Sequence, residues 1–114
     1  MKEFVLIVRL EELPEVKFPA NELSSMMNVW EKWVDSIIAQ NILVSRGNRL
    51  GAEARTVKNG KVLTNGPYAE IKEIIGGYFI IRADSIDEAA KIAKGAPLVG
   101  NGNIEVRSIY SANA

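Results

Sequence analysis

Residues 65–85 read NGPYAEIKEIIGGYFIIRADS. The turn formers Asn65, Gly66 and Pro67 lead through a short charged segment to Gly76-Gly77. The run that follows, Gly77 to Ala83, is apolar and β-prone, as a buried strand requires. It stops at Asp84-Ser85, and Ser85 with Glu88 three residues later fits a capping box, so a helix starts there. Ile86, Ala89, Ala90 and Ala93 form the expected inward stripe, small enough to lie close to a sheet. Gly95 and Pro97 end that helix.

Upstream, Ala54 to Lys58 and Lys61 to Thr64 flank Asn59-Gly60, a strong short-range hairpin signal because both central residues need positive φ. Ile42 to Ser45 reads as a short strand, with residues 46–51 a loop after it. Asn21 to Gln40 is a helix with Asn21 as N-cap; Leu23, Met26, Met27, Trp30, Val34, Ile37 and Ile38 recur at helical spacing, with Trp33 at the stripe's edge. Asn41 ends it in a left-handed conformation. Residues 11–21 form a loop or lid whose Val16 and Phe18 fold back over apolar surface. Phe4 to Leu10 is a strand buried on both faces, interrupted by Arg9. Downstream, Ile104 to Tyr110 is the last strand.

The order is β, long α, β plus hairpin, β, short α, β. This predicts one α+β domain over residues 1–114, ferredoxin-like βαββαβ with an extra β-hairpin. Right-handed crossovers set the first and third main strands side by side, and both helices cover one sheet face. The other face is apolar as well, so a homodimer pairing two sheets is expected.

Fourteen basic and fourteen acidic residues cancel, which argues against nucleic-acid binding. The lack of cysteine excludes disulfides and thiolate chemistry, and the lack of histidine removes the commonest neutral-pH base and metal ligand. No run is long enough for a membrane span and no leader-like cleavage site follows the first strand, so a cytoplasmic location is expected. Phosphate-loop, dinucleotide and zinc-protease fingerprints are absent, and no cofactor is expected. Asp84, Asp87 and Glu88 are explained by helix capping, so no metal site is expected.

The central stretch resembles the YCII-related proteins, specifically their DGPF branch. The Asp-Gly-Pro-Phe motif stands here as Asn65-Gly66-Pro67-Tyr68, followed by Ala69-Glu70, Lys72-Glu73, Gly76-Gly77-Tyr78 and Asp84-Ser85-Ile86-Asp87-Glu88-Ala89. The resemblance covers nearly the whole chain and implies a dimeric α+β barrel. Asn65 replaces the motif's aspartate, turning a carboxylate into a neutral amide. The broader YCII group is linked to a His–Asp pair by analogy with muconolactone isomerase, and that chemistry does not carry over to a chain without histidine. The DGPF branch brings no defined activity, and a fold alone hosts many.

The candidate pocket lies between the sheet and the first helix and suits a small anionic or aromatic molecule. Arg9 would neutralise it, Trp33 and Tyr68 would flank it, and Lys72 and Glu73 would order the rim. Each also has a structural reading: Arg9 snorkels from a strand end, Trp33 packs in the core, Lys72 and Glu73 form a surface pair. Gly66-Pro67 is first a turn device, and Gly76-Gly77 permits close backbone approach or a bulge. Two other roles stay open: a lyase or isomerase using Glu73 or Tyr68 as proton carrier, and a non-catalytic regulatory interaction domain.

Overall fold

In the computed structural model the described residues are 1–64, 74–97 and 102–111. They form β1 (Lys2–Leu10), α1 (Pro14–Lys17), α2 (Ala20–Ala39), β2 (Leu43–Arg49), β3 (Thr56–Lys58), β4 (Lys61–Thr64), β5 (Ile74–Ala83), α3 (Ile86–Lys94) and β6 (Asn103–Ser108). The main sheet runs β2-β5-β1-β6 with every described pairing antiparallel, and β3-β4 is a separate hairpin. This is the ferredoxin-like α+β fold, with the first and third main strands adjacent.

Register sorts the two faces. Phe4 opposes Ile81 and Leu6 opposes Phe79, so these four share a face. They form one buried core with Ile37 of α2 and with Ala89 and Ala93 of α3, so both long helices lie on that side. Val5 opposes Ile80 and Ile7 opposes Tyr78 on the other side, where Glu105 and Arg107 of β6 join them.

Several local readings need correction. Pro19, not Asn21, sits at the N-cap of α2, which has no side-chain cap. Proline's fixed φ is already suited to a helix start, so the helix begins two residues earlier than an Asn21 cap allows. Ile38 is 45% exposed while Trp33 packs against the core, which shifts the stripe towards Trp33. In α3, Ile86 and Ala90 are exposed, and the inner side is Ala89, Ile92 and Ala93. The lid region holds the single turn α1, opened by Pro14. There Leu13 is buried and Val16 is exposed, the reverse of the apolar fold-back expected at Val16.

β2 also runs four residues past Ser45. Gly47 takes φ 58°, and the pairing with β5 shifts register between Ser45 and Asn48. A glycine that reads as a strand breaker here permits a bulge, so the strand continues to Arg49. β5 likewise starts at Ile74, three residues before Gly77. Asn59 (φ 53°) and Gly60 (φ 77°) make the hairpin turn, and Asn41 (φ 60°) closes α2 in the left-handed region.

Candidate functional site

The cleft is built on the helix side of the sheet, where β1, β2 and β5 meet the N-terminal half of α2. Val8, Leu10 and Phe79 line it from the strands, Met27 and Trp30 from α2, and Pro14 from α1. Its volume is about 110 Å³. Phe79 meets Trp30 edge to face, with ring centroids 5.8 Å apart and planes at 82°. Trp33 stands 5.3 Å from Trp30 and 5.6 Å from Phe79, behind the wall and outside the lining.

Arg46 and Arg49 stand on the β2 side of this cleft, and both are exposed. In an even strand, residues three apart point to opposite faces. The bulge at Gly47 inserts one residue between them and lets both guanidinium-bearing positions border one cavity. Arg46 Nη2 donates to Glu31 Oε2 at 2.6 Å, tying β2 to α2 across the opening. Asn48, Gly77 and Tyr78 also border the cleft; the side chains of Asn48 and Tyr78, paired in register, lie on the opposite sheet face, where Asn48 Nδ2 donates to the Tyr78 hydroxyl at 3.0 Å.

The glycine pair shapes the cavity floor. A Cβ on Gly77 would meet the Asn48 carbonyl oxygen at 2.9 Å, so β5 and β2 approach closely only without one. Gly76 is the residue skipped where Val8 pairs with Gly77 and Arg9 with Ile75, and a Cβ there would press on the Leu10 side chain. Ordinary alternation along β1 turns Arg9 away from the cleft that Val8 and Leu10 line.

Arg9 lies on the opposite sheet face. Its Nε donates to Glu105 Oε1 at 3.1 Å, and Arg107 Nη1 donates to Glu105 Oε2 at 3.3 Å. The Arg107 hydrogen bond first, then that from Arg9, holds the Glu105 carboxyl below its ordinary value of 4.5. Asn65, Gly66, Pro67, Tyr68, Lys72 and Glu73 lie outside the described residues.

Chemically the described wall can bind and orient. Among the described residues it carries two guanidinium groups and no carboxylate, a donor set suited to recognising an anion. Among the described residues no three acidic side chains gather as a metal-ligand set, and no helix is long and apolar enough to cross a membrane. Sequence reasoning passed over Arg46, Arg49 and the cleft role of Trp30. The signal lay in Arg46-Gly47-Asn48-Arg49, two arginines astride a glycine, once the glycine is read as a bulge.

The family model for the YCII-related domain matches residues 8–113. The chain belongs to the YCII-related family. The match takes in the strands and helices that frame the cleft, from Val8 of β1 to β6. Comparison with curated proteins returned no match. With no histidine, the chain cannot build a His–Asp pair.

Proposed function

We propose that this YCII-related domain, of the DGPF type, is a homodimeric binding protein for a small anionic or aromatic molecule held between the sheet and α2. The observation that carries the reading is the cleft: an apolar wall of Val8, Met27, Trp30 and Phe79 opening beside Arg46 and Arg49. Ligand sites in general combine such a wall with a few placed polar groups. The ligand-neutralising role passes from Arg9 to Arg46 and Arg49, because Arg9 is engaged with Glu105 on the other face. Tyr68, Lys72 and Glu73 stay in the proposal as rim candidates on sequence grounds.

The homodimer is supported by the sheet's second face. Val5, Ile7 and Ile80 are only half-buried there, and Tyr78 is 36% exposed. Arg82, which alternates with Ile80 and Tyr78, has a buried Nε without an acceptor among the described residues. A second copy packed on this face would bury the apolar side chains and bring acceptors near Arg82.

A thermal-shift screen of small carboxylic acids and their neutral amides tests the binding role, since a ligand that binds only the folded state raises the melting temperature. Acids are expected to stabilise the wild type and Arg9→Gln, and to lose that effect in Arg46→Met. Stabilisation that vanishes in Arg9→Gln but survives in Arg46→Met would move the site to the other face.

A further inference from the structure

We infer that the cleft takes a single-ring aromatic monocarboxylate of benzoate size, and that the ligand's carboxylate takes over Arg46 from Glu31. The inference rests on the binding function proposed above and names its ligand class. Three features of the cleft lead to it.

Size comes first. At about 110 Å³ the cleft is smaller than the roughly 300–1,000 Å³ of pockets for drug-sized ligands. It is nearer the engineered apolar cavity of about 150 Å³ that accepts benzene. A single ring suits that volume, with its substituent at the mouth.

The wall favours a flat ring. Trp30 and Phe79 already pair edge to face, and Met27 adds a polarisable thioether beside them. A ligand ring would extend that cluster in offset or edge contact.

Charge selects a monoanion. The exchange is one for one, the ligand's single carboxylate taking the place of the Glu31 carboxylate on Arg46. A guanidinium offers a planar fork that matches a carboxylate with two parallel hydrogen bonds. The Arg46–Glu31 bond is a single contact at 2.6 Å between side chains 55% and 53% exposed. Exposed pairs of this kind are weak and yield to a better-matched partner. Glu31 therefore holds Arg46 over the opening, and the ligand competes with it.

The two tryptophans make intrinsic fluorescence a direct readout, since Trp30 lines the cleft. Benzoate, benzamide, 2-naphthoate and phenylphosphonate would each be titrated into wild type, Arg46→Met and Glu31→Gln. Both substituted side chains are exposed, and a melt followed by circular dichroism confirms that the variants stay folded. Benzoate should saturate. Benzamide, and benzoate on Arg46→Met, should each bind about tenfold more weakly, the value of a hydrogen bond to a charged group. Glu31→Gln should bind benzoate about two- to fivefold more tightly, because the competing carboxylate is gone. A merely structural ion pair would make both variants weaker, so an unchanged or weakened Glu31→Gln overturns the exchange. Tighter binding of 2-naphthoate or phenylphosphonate overturns the ligand class and leaves the binding function standing. If no probe saturates, both fall.

Discussion

Gly47 shows how one residue can set a site. Its φ of 58° lies where a side chain is strained, and a Cβ would run into the Tyr78 carbonyl oxygen of the neighbouring strand. We expect Gly47→Ala to destabilise the protein by at least about 2 kcal/mol in urea unfolding. Gly51→Ala should be within about 0.5 kcal/mol of wild type, because nothing lies within 4 Å of a Cβ there. Equal effects at the two positions would deny the bulge its role in placing Arg46 and Arg49. Glu105 offers a second residue-scale check. Held low by Arg107 and Arg9, its carboxyl should titrate by NMR below 4.5, and Arg107→Gln should move it back up. A carboxylate with a depressed folded pKa contributes stability above its unfolded value. That contribution disappears as pH falls through the folded value, so acid should release the Arg9–Glu105–Arg107 cluster. A Glu105 titration unmoved by Arg107→Gln would contradict the assignment.

At the scale of elements, what is legible in the sequence is what local chemistry decides. The start of α3 is an example: Ser85 Oγ accepts from the Glu88 N–H at 3.1 Å, and the Glu88 carboxylate accepts from the Asp84 N–H at 3.3 Å. Both bonds involve neighbours three or four residues apart, so the motif announces itself. Ser85→Ala should cost about 1 kcal/mol in the same unfolding assay, and Ser85→Asp should keep most of the stability. A Ser85→Ala variant as stable as wild type would show the cap to be idle. The Asn59-Gly60 hairpin is legible for the same reason, since positive φ is asked of both residues by the turn itself. The cleft is less legible. Its arginines depend on a bulge that exists only because β2 pairs with β5, and no local rule ranks Gly47 as bulge rather than breaker. Trp30 and Trp33 sit three apart on one helix face, and their division into cleft wall and core is settled by where Phe79 of β5 lies between them.

For the whole molecule, the arrangement is a sheet with two different faces. One carries the helices, the core and the cleft; the other presents Val5, Ile7, Ile80 and Tyr78 alongside Arg9, Arg82, Glu105 and Arg107. An apolar centre with a charged rim is what a self-pairing surface needs. The alternation of Phe4, Leu6 with Val5, Ile7 already foretells two apolar faces, so this property of the molecule is readable from one strand. The identity of the cover is not, because period-two alternation says that a face is greasy and nothing about what meets it. Sedimentation equilibrium at micromolar concentration, on wild type and Ile80→Lys, answers that most directly. Wild type should sediment at twice the 12.5 kDa of one chain, and Ile80→Lys at one chain with unchanged circular dichroism. A wild type that sediments as a single folded chain would contradict the dimer inferred from the sheet's second face.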